Sequence, residues 1–259
     1  MRKISVFILI SFLLIFCKNE NVDELNVENN DIDKSDAIVE LVDTTLSQKK
    51  NKKELDTLEL KLIEAGLVNI QTVNQTIIVD LKYAGADNFM GFNMYGNLEN
   101  AYLQPEVAER LSIAQKYLIE RHPNLSLYVF DAVRPISVQK MMWDALDSIP
   151  VNERVKFVSN PKNGSIHNYG AAVDVSIFDK EKDTLLDMGA GYDDLRKIAY
   201  PKHEVDFLAS GELTEEQFQN RKLLRTVMHQ GGFWVIPSEW WHFNAFSRDK
   251  AKELFSPID

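Results

Sequence analysis

The sequence predicts an α+β fold, a central and largely antiparallel sheet with flanking helices. Two kinds of periodicity are interleaved along the chain: apolar residues three and four apart in some segments, and short β-branched or aromatic runs in others. The two kinds do not alternate as regular βαβ units, which disfavours a parallel sheet. No stretch repeats another, and 259 residues with 45% hydrophobic content supply enough apolar surface for one sizeable core.

Before that core, the chain has a different character. Arg2 and Lys3 precede an apolar run from Ile4 to Phe16, too short for a comfortable membrane span, so residues 1–17 read as an export signal. Cys17, the single cysteine, stands where a bacterial lipoprotein would be cleaved and acylated, with Leu14 three residues ahead of it. Phe16 replaces the usual small residue there, so a plain signal peptide is the alternative to lipidation at Cys17. One cysteine excludes an intramolecular disulfide. Residues 18–52 read as a disordered acidic linker, with nine acidic and two basic residues between positions 18 and 45. The remainder of the chain carries no basic stripe, which argues against a nucleic-acid partner.

The folded domain is expected over residues 53–259. From Glu54, Leu55, Leu58, Leu62 and Ala65 mark a helix that Gly66 closes. Gln75 to Tyr83 reads as a strand, and Ala84 to Asn100 as a Gly- and Asn-rich loop whose Phe89, Phe92 and Tyr95 pin it to the core or line a pocket wall. Pro105 opens a helix with Val107, Leu111, Ala114 and Leu118 on one stripe, ending near His122-Pro123. A buried strand, Leu125 to Phe130, delivers Asp131-Ala-Val-Arg-Pro135 before a helix over Ile136 to Leu146. Residues 150–164 read as loop, Ala171 to Phe178 as a strand, and Asp187 to Asp193 as a polar turn. Thr214 with Gln217 forms a capping-box start for a helix ending at Gly231-Gly232, and Trp234 to Ile236 and Trp241 to Phe246 are the last strands.

Of the five histidines, His122 and His229 sit at helix ends, and His203 lacks neighbours with a ligand pattern. His167 has Asp174 seven residues on, across a small-residue turn, and His242 follows Glu239 by three. A catalytic zinc site uses about three protein ligands and an open position for water, a count that His167, Asp174 and His242 meet. Glu239 can then stand over the metal as a base. Positions three apart on a regular strand face opposite ways, so this requires a bend or bulge between Glu239 and His242. Trp240 and Trp241 would wall the site.

Taken together, Tyr83 to Gly91, Asp131 to Pro135, Ser165-Ile-His-Asn-Tyr-Gly-Ala-Ala-Val-Asp174, Asp187-Met-Gly189 and Glu239-Trp-Trp-His-Phe243 resemble the zinc D-alanyl-D-alanine dipeptidases of the VanX type. The resemblance covers roughly residues 60 to 250, in order and with the family's spacing. It implies one Zn2+ per chain held by His167, Asp174 and His242, Glu239 as catalytic base, and Arg134 stabilising the oxyanion. It further implies Asp193 on the substrate's amino group and Ser165 on its carboxylate. The substrate would be D-Ala-D-Ala, split into two D-alanines in cell-wall metabolism. Asn168-Tyr169 stands where the family usually has Ser-Arg, and Val133 where it has Tyr, departures close enough to alter pocket shape or substrate preference. Two alternatives remain: a metallo-DD-carboxypeptidase or endopeptidase acting on peptidoglycan peptides, and a zinc-stabilised binding module without catalysis. Contact with a membrane is expected only through a lipid on Cys17.

Overall fold

The structure, a computed structural model, describes residues 57–259; the expected export signal, Cys17 and the expected acidic linker lie outside the described residues. Helix α1 (Thr57–Glu64) is followed by β1 (Val68–Asn69), α2 (Ile70–Val73), β2 (Ile78–Val79), β3 (Tyr102–Leu103) and α3 (Pro105–Arg121). Then come β4 (Leu125–Asp131), α4 (Ile136–Ala145), β5 (Ala172–Asp179), β6 (Thr184–Leu185), α5 (Glu204–Ser210), α6 (Glu215–Gln230), β7 (Trp234–Ile236), β8 (Glu239–Asn244) and α7 (Arg248–Leu254). The main sheet runs β2-β4-β5-β8-β7, with β6 also paired to β5, and every pairing in it is antiparallel except the parallel β2–β4 pair. This is the α+β, largely antiparallel arrangement expected from the sequence.

β5 is the axis of the molecule. It pairs along its length with β4, and its other edge takes β8 at Ala172–Asp174 and β6 at Phe178–Asp179. Because both edges and both faces are covered, Ala172 through Ile177 are all buried, the polar Asp174 and Ser176 that alternate with Val173, Val175 and Ile177 included. α3 lays Val107, Leu111, Ala114 and Leu118 into the core, each fully buried. Its Gln115 is buried as well and pins the helix to β4: Nε2 donates to Ser126 Oγ (2.9 Å), and Oε1 accepts from Leu127 N (2.8 Å). α6 starts with the anticipated Thr214–Gln217 capping box and ends against α3 at Gly231. A Cβ at Gly231 would lie 2.3 Å from the Arg110 carbonyl oxygen, so only glycine permits that approach.

The strand expected over Gln75 to Tyr83 shortens to two residues, because Asn74 caps a turn through Thr76 and Lys82–Ala84 coils into a 3₁₀ turn. The short helices α2, α5 and α7 were not anticipated; each is too short for an apolar stripe to repeat. Among the described residues no helix is long and apolar enough to cross a membrane.

Candidate active site

Three neighbouring strands converge on one point. Across the β4–β5 pair Asp131 lies opposite Asp174, after a register break beyond Val129, and across β5–β8 Asp174 lies opposite His242. Between β7 and β8 the register jumps from Val235–Phe243 to Ile236–Glu239, so Trp240–His242 bulge against a single step of β7. That irregularity is the bend the sequence demanded. It leaves Glu239 Oε2 3.9 Å from His242 Nδ1.

His167 arrives on a 3₁₀ turn, Ile166–Tyr169, capped at its start by Ser165 and Asn168 in a reciprocal box and at its end by Gly170 in the left-handed region (φ 61). A Cβ on Gly170 would meet Leu67 Cδ2 at 2.8 Å and the Gln104 backbone nitrogen at 3.2 Å. Glycine is therefore required on two counts, and the turn that orients His167 depends on it.

His167 Nδ1 donates to the Ala132 carbonyl (2.6 Å), leaving its Nε2 as a lone pair. His242 Nε2 donates to Asn244 Oδ1 (2.9 Å), leaving its Nδ1 as a lone pair. Those two inner nitrogens stand 3.0 Å apart, and Asp174 Oδ1 lies 3.2 Å from one and 3.0 Å from the other. Three electron-rich atoms so close, in a buried site, repel one another unless a cation or a proton sits among them. With the outer nitrogens fixed by carbonyl acceptors, the donor set fits a divalent metal that takes nitrogen and oxygen. Burial pushes the Asp174 carboxyl up, but the electrostatic pull of the adjacent imidazoles and their hydrogen bonds outweigh it and hold the group well below its ordinary range. Burial opposes charge on His242 too, and the bond to Asp174 overrides it and raises the imidazole.

Around the triad lies a small pocket of about 160 Å³, whose lining includes Arg134, Ser165, Asp193, Glu239 and Trp241. All seven candidate residues within the described part of the chain line it. Arg134 Nε and Nη2 bind Asp131 Oδ2 (2.9 and 2.5 Å), and Nη2 reaches Asp174 Oδ2 at 3.4 Å. Burial works against the guanidinium's charge, and Asp131 more than restores it, so Arg134 stays charged. Ser165 Oγ accepts from His167 N (3.4 Å) and keeps its own proton to give. Asp193 has a positive φ of 60 and receives the Tyr83 hydroxyl on both carboxylate oxygens at 3.1 Å. Its loop is fastened by buried Arg221 of α6, which donates to the carbonyls of Met188 (2.6 Å) and Ile198 (2.9 Å) on either side of it. Burial, then the Asp174 charge, pushes Asp193 up to about 8. Glu239 is raised as well, by burial first, against the pull of His242.

Some features of the site were not legible. Tyr192, whose hydroxyl donates to Asp174 Oδ2 (3.1 Å), carried no signal beyond its aromatic ring. Asp131 is the fully buried partner of Arg134, and its i,i+3 spacing within Asp131-Ala-Val-Arg134 was the available clue. Trp241 walls the pocket as expected, whereas Trp240 lines a neighbouring cleft of about 880 Å³ and donates to the Ala190 carbonyl (3.0 Å). Phe89 lines that same cleft, which shares Asp193 with the pocket, while Tyr95 is buried with its hydroxyl on Asp131 (2.6 Å). Asn168 and Tyr169 do not line the pocket. Asn168 lies beneath it, fully buried, with Oδ1 accepting from Ser165 N and Nδ2 donating to the Arg134 carbonyl (2.6 Å) and Gln139 Oε1 (2.9 Å). It thereby ties the histidine turn to the arginine segment. Val133 is buried in the core.

Residues 63–256 match the family model described as Peptidase M15, D-ala-D-ala dipeptidase. A D-alanyl-D-alanine dipeptidase of Escherichia coli (strain K12) is 31% identical over 177 residues, covering 68% of this chain and 83% of that protein. One of Synechocystis sp. is 29% identical over 169 residues, 55% of this chain and 68% of the relative. One of Enterococcus faecium is 26% identical over 194 residues, 70% and 92%. With the match spanning most of the chain and a buried two-histidine, one-aspartate cluster at its centre, the chain belongs to the Peptidase M15, D-Ala-D-Ala dipeptidase family and is a metallopeptidase.

Proposed function

We propose that this chain is a zinc-dependent dipeptidase that hydrolyses D-Ala-D-Ala to two D-alanines. The observation that carries the reading is the convergence of three lone-pair-bearing atoms, from His167, Asp174 and His242, with the Glu239 carboxylate 3.9 Å from His242 Nδ1. The relatives are named D-alanyl-D-alanine dipeptidases, and a 160 Å³ pocket suits a substrate smaller than the drug-sized ligands that fill ~300–1,000 Å³.

Zinc bound by His167, Asp174 and His242 would supply a Lewis acid for the scissile carbonyl and would lower the pKa of a water towards ~7. Glu239, its proton affinity raised by burial, accepts the proton of the attacking water and returns it to the leaving amine. Arg134, held charged and aimed by Asp131, donates to the oxygen on which negative charge develops. Asp193, held by Tyr83, takes the substrate's ammonium, and Trp241 keeps bulk water out.

Glu239→Ala is expected to retain stoichiometric zinc and to lose about 10²–10⁴-fold in kcat, whereas His242→Ala loses both zinc and turnover. Metal analysis beside a D-Ala-D-Ala assay reads both, and full activity in purified Glu239→Ala would defeat the assignment. A second reading, carboxypeptidase action on peptidoglycan peptides, draws on the 880 Å³ cleft that adjoins the pocket at Asp193. An acyl-blocked D-Ala-D-Ala separates the two, since the dipeptidase requires the free amine. For location, we infer export followed by retention outside the cytoplasm, with Cys17 lipidated; this favours salvage of wall-derived dipeptide, and recovery of the protein in the cytosolic fraction would overturn it.

A further inference from the structure

We propose that Arg248, at the first turn of α7, is the specificity-determining residue that grips the substrate's terminal carboxylate beside Ser165. The proposal rests on the reading of this pocket as a peptidase site for a substrate with a free C-terminus. Two arginines line the pocket, and they are not equivalent. Arg134 is already bound to Asp131 through two nitrogens and reaches Asp174. Arg248 is anchored by backbone alone: Nη1 donates to the carbonyls of Asn163 (2.9 Å) and Gly164 (2.5 Å). Neutral carbonyls fix a guanidinium in place without cancelling its charge.

Among the described residues no carboxylate lies within 4.0 Å of Arg248, and its Nε and Nη2 donate to no protein acceptor. An arginine offers Nε and Nη2 as a planar fork matched to the two oxygens of a carboxylate. The two carbonyls that hold it belong to the residues immediately before Ser165, whose hydroxyl proton is uncommitted. Apart from Arg134, whose charge is met by Asp131, the pocket's other charge-bearing side chains include the carboxylates Asp174, Asp193 and Glu239, so a substrate carboxylate is drawn towards the uncommitted cation. Arg248 and Asp193 are not paired to each other, which leaves a cationic and an anionic recognition point in the same pocket as the His167, Asp174 and His242 cluster. That is the charge pattern of a free dipeptide.

The test uses the zinc-loaded full chain with D-Ala-D-Ala, its C-terminal amide and the acyl-blocked dipeptide. Arg248→Ala is expected to raise KM for D-Ala-D-Ala about 10- to 100-fold with little change in kcat, as befits loss of a charge-assisted hydrogen-bonded contact. The amide, lacking the carboxylate, should be slowed less than about twofold by the same substitution. Arg248→Lys should recover part of the loss. Equal slowing on acid and amide, or wild-type KM in Arg248→Ala, overturns the proposal. Calorimetric binding of D-Ala-D-Ala to Glu239→Ala and to Glu239→Ala/Arg248→Ala gives the same comparison without turnover; equal affinity overturns it. If the wild type cleaves the acyl-blocked dipeptide alone, the dipeptidase reading falls while the anchor is still read from Arg248→Ala on that substrate.

Discussion

Asp193 is caught between two demands. Burial and the nearby Asp174 charge favour its protonated form and push it up to about 8, yet an ammonium on the substrate pairs with the ionised form. Because the folded value lies above the ordinary 3.8, the proton's contribution to stability is complete below 3.8 and is lost as pH rises through about 8. Substrate binding runs the opposite way: KM for D-Ala-D-Ala should fall as pH rises towards 8, and Asp193→Asn should flatten that limb while raising KM. A bound cation offsets Asp174 and lowers the midpoint, so zinc-loaded enzyme should show the limb at a lower pH than the raised value. pH profiles of KM for the two proteins check this. At this scale the residues that meet at the site were legible because His167 and Asp174, and Glu239 and His242, are short-range pairs in sequence. Tyr83 was not assigned to Asp193, 110 residues away, and no local pattern encodes such a contact. Nor could spacing reveal that Asn168 turns its amide inward as a clamp instead of lining the pocket.

Among the elements, the 3₁₀ turn carrying His167 is the most demanding, since its exit runs through Gly170 with φ 61. Gly170→Ala should cost about 1–3 kcal/mol, combining the left-handed backbone with a Cβ 3.2 Å from the Gln104 nitrogen. Backbone at that contact yields less readily than Leu67's methyl. The variant should therefore melt several degrees lower and bind zinc more weakly, as calorimetry and a chelator competition would read; unchanged zinc affinity would separate the turn from the site. The long elements were readable for the opposite reason. α3 and α6 repeat their apolar spacing over 17 and 16 residues, and α6 carries its capping box in plain view. β8 was readable in its defect, because two polar residues three apart could share a side only if the strand bulged, although it runs Glu239–Asn244 where Trp241 to Phe246 was expected. The seven-residue helices α5 and α7 offered too few turns, and with α7 went the placement of Arg248.

For the whole molecule, a metal held by His167, Asp174 and His242 would also be a cross-link. His242 and Asp174 belong to adjacent strands, β8 and β5, while His167 is on a separate turn bonded to the end of β4 through Ala132. Emptied of cation, these elements are held at a point where lone pairs face one another, so folding and metal binding are coupled. A metal present at about 100 to 1,000 times its Kd stabilises the folded state by about 2.7–4.1 kcal/mol. For a domain of this size, each kcal/mol shifts Tm by about 2–4 °C. Chelation should then lower Tm by about 5–16 °C, reversibly on adding zinc. His242→Ala should begin from a lower Tm and respond to neither chelator nor zinc. Differential scanning calorimetry of the two proteins, with and without chelator, decides it: a wild type indifferent to chelation would mean that His167, Asp174 and His242 share a proton in place of a metal.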